Sequence, residues 1–188
     1  MRFDIISGAE AGPDVSGPRP EGYSERVVPL ELIGVRVEVP ANTPMVLLRE
    51  QDGRHRLLPI YIGSPEASAI HYALEGVVPP RPLTHDLFLL TLAELDTTVT
   101  KVVVTEMRDR TYYAELHLDT PGGPKILSAR PSDAIALAVR CEAPLYASDE
   151  LIDAVGQDPP SEPEDDAAEI IDEFKDFIEN VSPEDFGE

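Results

Sequence analysis

Two short stretches of this chain place an arginine, a proline, a hydroxyl and a carboxylate almost in a row. One is Arg130-Pro131-Ser132-Asp133, inside LSARPSDAIALAVRCEAPLY (127 to 146). The other is PPRPLTHDLFLL (79 to 90), with Arg81, Pro82, Thr84, His85 and Asp86. Each stands where an apolar, helix-periodic run begins. A proline there holds the preceding arginine extended and starts the helix. Ser132, Asp133 and Thr84 then have a sufficient structural task, because hydroxyls and carboxylates satisfy the free N–H groups of a first turn.

Capping requires no guanidinium, so the arginines call for a second explanation. In a bracing reading, Arg81 and Arg130 form bidentate pairs with Asp86, Asp133 or Glu66. In a chemical reading, the arginines and helix N-termini hold a phosphate while the carboxylates hold a cation or a water. His85 then serves as general acid/base or as a metal ligand. Local sequence leaves both open.

The elements that must position these residues follow from periodicity. Strands are expected over 27 to 39, 44 to 50 and 56 to 63, with a bulge near Gly34 and a turn at Asp52-Gly53. A helix over 64 to 76 begins at Ser64-Pro65-Glu66, and a second over 84 to 95 begins at Thr84. Further strands are expected over 97 to 107, 111 to 119 and 124 to 129. A helix over 132 to 142, a short strand PLYA and a last helix over 148 to 156 complete the pattern. The helices after the third and sixth strands align at an offset of 65 residues, a faint internal repeat. The fold class is α+β: one domain with a mixed, largely antiparallel sheet and three to four short helices.

Residues 1–25 are rich in Gly, Pro and charge without periodicity and read as a flexible tail; 26–156 form the domain; 157–188 form an acidic tail. Ile170, Ile171, Phe174, Phe177, Ile178 and Val181 give that tail an amphipathic helix over about 163–181, suited to docking on the domain, on another subunit or on a protein partner. The formal charge is -21. The tail holds 13 acids and one lysine, whereas residues 27–156 hold 18 acids and 11 basic side chains. No basic cluster forms an electrostatic footprint for a polyanion, so phosphate binding has to be local. No apolar run spans a membrane, and the start lacks a signal-peptide pattern, so a cytoplasmic protein is expected. Cys141 is the only cysteine, which excludes an internal disulfide and a cysteine-rich zinc site. Its position in an apolar helix pattern makes it a small core residue. Phosphate-cradling, dinucleotide and serine-elbow motifs are missing.

The blocks LPIYIGSPEASAIHYALEG, PPRPLTHDL, YYAELHL and ARPSDAIALAVR, in this order, resemble the bifunctional nuclease domain family of bacteria and plants. The resemblance covers roughly residues 27 to 156. It implies a single α+β domain, subunits that associate into homo-oligomers, and hydrolysis of both DNA and RNA. Carried onto this chain, its motif positions are Glu66, Arg81, Thr84, His85, Asp86, Arg130, Ser132 and Asp133. A metal-assisted version has Glu66, Asp86 and Asp133 holding a divalent cation such as Mg²⁺, His85 moving a proton, and Arg81 and Arg130 on the phosphate. Thr84 and Ser132 then bind substrate. The family commonly carries an acid shortly before the Arg-Pro-Ser-Asp block, where this chain has Ser128. The alternative is a non-catalytic oligomeric module that recruits a protein through its acidic tail.

Overall fold

A computed structural model describes residues 26–39 and 41–159; the expected N-terminal tail and tail helix lie outside the described residues. Strands β1 (Val27–Glu38), β2 (Thr43–Glu50) and β3 (Leu57–Tyr61) form an antiparallel meander followed by helix α1 (Ser64–Leu74). Helix α2 (Thr84–Glu94) leads to a second antiparallel meander, β4 (Thr98–Arg108), β5 (Thr111–Thr120) and β6 (Gly123–Ala129), again followed by a helix, α3 (Pro131–Cys141). Strand β7 (Leu145–Ser148) and helix α4 (Asp149–Val155) close the order. The two halves thus share one plan, three strands and a helix, matching the faint repeat in sequence.

All seven strands join one sheet in the order β3-β2-β1-β7-β4-β5-β6. Only the β4–β7 pairing is parallel; β7 meets β1 antiparallel. The fold is therefore α+β with a mixed, mainly antiparallel sheet. Helix α3 packs across β4 and β5 on its way to β7, and α1 packs on β1 and β2. Alternation on the strands faces Val46, Leu48, Leu58, Ile60, Val102, Val104, Leu116 and Leu118 toward these helices, where they meet Ile70, Ile135 and Leu137 in one core. Full burial of each large aliphatic here contributes about 1.5–3 kcal/mol before entropy is counted. The bulge falls between Leu32 and Gly34, and Gly34 has φ 146°, a conformation that glycine tolerates.

Helix α2 meets this core only at its edge, through the partly buried Leu89 and Leu92. It packs on α3, yet none of its residues is buried. Cys141 is exposed at the last turn of α3 rather than in the core, because the apolar stripe of that helix ends at Ala138 and Val139. Among the described residues, no helix is long and apolar enough to cross a membrane.

Candidate functional site

The helix starts differ from the expected caps by one or two positions. The N-caps are Gly63, Leu83 and Arg130, and none of the three helices has a capping side-chain oxygen at that position. Pro131, at the first helical position of α3, keeps Arg130 extended (φ -68°, ψ 139°), which makes the arginine the cap residue. Thr84 and Ser132 therefore lie inside the first turn instead of ahead of it. The third helical position is an acid each time: Glu66 in α1, Asp86 in α2 and Asp133 in α3. Negative charge at that end complements the helix dipole.

These three acids have different partners. Asp133 accepts two hydrogen bonds from Arg130, Nε to Oδ2 at 2.8 Å and Nη2 to Oδ1 at 3.0 Å. Arg130 Nη1 reaches Glu66 Oε1 at 3.0 Å, tying the starts of α1 and α3 together. His85 Nε2 lies 3.5 Å from Asp133 Oδ1, which brings in the start of α2. Asp133 raises the affinity of Arg130 for its proton, with Glu66 adding to the effect. The Arg130 side chain is nevertheless 66% exposed, so the guanidinium faces solvent as well as its acids. Gly63 permits the Glu66 position: a Cβ there would collide with the Glu66 carboxylate.

Asp86 faces inward instead. Its Oδ1 accepts from Arg140 Nε at 2.6 Å, and its Oδ2 accepts from the Leu83 N–H at 2.9 Å, the return half of a capping box. Burial pushes the Asp86 carboxyl up, but Arg140 and the Leu83 N–H outweigh it and hold the group below its ordinary range. Arg140 is then completed by the carbonyls of Ala136 and Ala69, so one guanidinium joins all three helices.

Of the sequence candidates, Glu66, His85, Arg130 and Asp133 form one connected chain of polar contacts. Asp86 belongs to the neighbouring structural pair. Arg81 and Thr84 are exposed, and neither side chain has an ion pair or hydrogen bond among the described residues. Ser132 is buried beside Arg130. For a divalent cation the donor set is a poor fit. Arg130 occupies the position between Glu66 and Asp133, Asp86 is saturated by Arg140, and no three His, Cys, Asp or Glu side chains converge among the described residues.

Arg130 and Ser132 also line a cleft of about 390 Å³ together with Tyr61, Gly63, Arg110 and Tyr112. Arg110, Tyr61 and Tyr112 carry no sequence signal for a site. Arg110 lies in a turn between strands, and both tyrosines lie in ordinary strand patterns, so only the closure of β3 against the β4–β5 turn reveals them.

The sequence pattern described as the bifunctional nuclease domain matches residues 46–160. An uncharacterized protein of Mycobacterium tuberculosis is 40% identical over 162 residues, covering 84% of this chain and 96% of that protein. Bifunctional nuclease 1 of Arabidopsis thaliana is 31% identical over 108 residues, 56% of this chain and 33% of the plant protein. Bifunctional nuclease 2 of Oryza sativa subsp. japonica is 29% identical over 128 residues, 66% of this chain and 39% of the plant protein. The chain thus spans little more than a third of these plant relatives.

Proposed function

The chain belongs to the bifunctional nuclease domain family, and from that premise we propose that it hydrolyses phosphodiester bonds in nucleic acid. The observation that carries this reading is one carboxylate, Asp133, contacting both a histidine and an exposed arginine. Asp133 lies 3.5 Å from His85 Nε2, and the other ring nitrogen, Nδ1, is the position from which a proton is taken from water or given to the leaving oxygen. Arg130 meets the negative charge that grows on the phosphate. Glu66 and Asp133 hold that guanidinium in place. Thr84, exposed in the first turn of α2 next to His85, is the further group that meets the substrate strand.

A Mg²⁺-assisted version needs Arg130 to yield its place between Glu66 and Asp133, and the assay separates the two versions. Wild type, Asp133→Ala and His85→Ala, purified alike and checked for folding by circular dichroism, are assayed on single-stranded DNA and RNA with Mg²⁺ and with EDTA. Hydrolysis lost in both folded variants is the expected result. Equal hydrolysis by all three proteins means a contaminant and removes the reading. Its response to EDTA decides whether a cation takes part.

A second feature supports self-association. Leu83, Leu87, Phe88, Leu90 and Leu95 are all exposed along or beside α2. At helical spacing Leu83, Leu87 and Leu90 form one stripe, which Glu94 continues, while Phe88 and Leu95 form a second row about a third of a turn away; Arg81 precedes the helix and Asp96 follows it. Arg81, Glu94 and Asp96 have no ion-pair partner among the described residues. Such a stripe complements itself when two copies pair α2 antiparallel, with Arg81 of each meeting the acids of the other and the helix dipoles opposed. The occupant of this face is a second copy of the chain.

A further inference from the structure

We propose that the cleft beside Arg130 holds one unpaired nucleotide, with its phosphate at Ser132 and Arg110 and its base against Tyr61 and Tyr112. Such a ligand is a substrate class within the nuclease reading; binding stands without that reading, and only cleavage of the bound strand rests on it.

Ser132 carries the first part. It is 7% exposed, it lines the cleft, and its hydroxyl has no hydrogen-bond partner among the described residues. A buried hydroxyl without a partner costs about 1–3 kcal/mol, which a ligand oxygen in the cleft relieves. The helix adds a donor at the same point. Asp133 N–H and Ala134 N–H both turn to the Arg130 carbonyl, whereas Ser132 N–H has no acceptor in its first turn. Hydroxyl and N–H at the positive end of an 11-residue helix favour an anion.

Arg110 carries the second part. It sits in the β4–β5 turn at φ 63°, lines the same cleft, and has no ion pair among the described residues. Its neighbour Arg108, by contrast, is paired with Glu106 and stacked over Tyr113. Glu66 and Asp133, at the starts of α1 and α3, share the one positive charge of Arg130, so Arg110 is the lining cation left for a phosphate. Tyr61 donates its hydroxyl to Glu38 at 3.1 Å, which holds the ring at the cleft. The hydroxyl and N–H of Ser132 and the guanidinium of Arg110 take the phosphate, and the rings of Tyr61 and Tyr112 take the base.

The size agrees, since 390 Å³ falls within the range of about 300–1,000 Å³ that small-molecule sites occupy. Aromatic rings take bases that are free to unstack, so the cleft selects single strands over duplex.

Thymidine 5′-monophosphate is the direct probe, because it carries the phosphate and base but no diester to cleave. Calorimetric titration of the full chain is expected to show tighter binding of this nucleotide than of thymidine or inorganic phosphate alone. Arg110→Ala and Ser132→Ala should each weaken it about tenfold, and Tyr61→Ala by a similar factor. A labelled oligothymidylate should bind better than its duplex and be displaced by the mononucleotide. Nucleotide binding no tighter than thymidine, or unchanged by Arg110→Ala and Ser132→Ala, overturns the proposal. So does equal binding of duplex and single strand. Binding as stated without any hydrolysis keeps the cleft and removes the nuclease reading. Hydrolysis with binding untouched by all three variants does the reverse.

Discussion

Arg140 donates to Asp86 at 2.6 Å across 54 residues of sequence, and this pair distinguishes the two Arg-Pro helix starts. Arg140 is 10% exposed at its side chain and Asp86 27%, so the contact is largely removed from water. At α2 the acid is therefore a brace for the helix layer. At α3 the equivalent acid, Asp133, is shared between an exposed arginine and a histidine. The same motif ties its acid to an arginine of the helix layer at one start and shares it between an exposed arginine and a histidine at the other.

Breaking the brace should cost stability rather than chemistry. Asp86→Ala leaves the Arg140 charge buried without its carboxylate, a loss of about 3–5 kcal/mol for a pair of this kind. Urea unfolding measures it. If Asp86 instead takes part in catalysis, a variant assayed well inside its folded range loses turnover beyond the unfolded fraction.

The opposite pattern is expected one helix away. His85→Ala and Asp133→Asn should each lower turnover about 10²–10⁴-fold, the usual span of general acid–base catalysis. Their unfolding midpoints should move less than that of Asp86→Ala, because neither change leaves a buried charge without its partner: Arg130 is exposed and keeps Glu66. Rate and urea midpoint measured on the same preparations separate the two effects. Wild-type rates in His85→Ala would remove the histidine from the mechanism.

How much of the molecule is readable in the sequence depends on range. Helix and strand positions follow from local periodicity, and element ends differ from expectation by a residue or two because pairing stops where a partner strand does. The bulge at Gly34 is visible in the phase change between Leu32 and Val35. The Glu66–Arg130–Asp133 link is half of the bracing that the sequence offers; Arg81, read the same way, makes no ion pair among the described residues. Which acid faces inward is not readable. Asp86 and Asp133 occupy the same helical position, and only Arg140, on a helix packed against α2, makes the difference. Cys141 departs from expectation for a related reason: periodicity gives a stripe but not where the stripe ends. Tyr61, Arg110 and Tyr112 come together only when sheet and helices close, which no local pattern encodes.

Two depressed carboxyls set the response to acid. Arg56 holds Glu50 below its ordinary range through a side-chain bond, against the opposing effect of burial, and Arg140 with the Leu83 N–H does the same for Asp86. Folded values below the unfolded ones mean that their stabilisation is complete above about pH 5 and is lost as pH falls through the folded values. Thermal midpoints should therefore hold near neutrality and drop toward about pH 3. Glu50→Gln should flatten that drop. A curve with the same acid slope in wild type and in this variant would place the acid sensitivity elsewhere.

The α2 stripe gives a last expectation, and its position in the fold makes it a clean one. Leu87 is 58% exposed and Leu90 52% exposed, so neither supports the core and a charge at either is tolerated by the folded subunit. An apolar face left open to water on both copies is covered when they pair, and its removal is what drives association. Light scattering after size exclusion should therefore give a multiple of the chain mass for wild type and the mass of one chain for Leu87→Glu/Leu90→Glu, with circular dichroism unchanged. Charge reversal tests the pairing direction. Arg81→Glu should weaken association, and Arg81→Glu combined with Glu94→Arg should restore part of it, because antiparallel helices bring those ends together. A wild-type chain that runs as a single copy at all concentrations would show that this face has a different occupant.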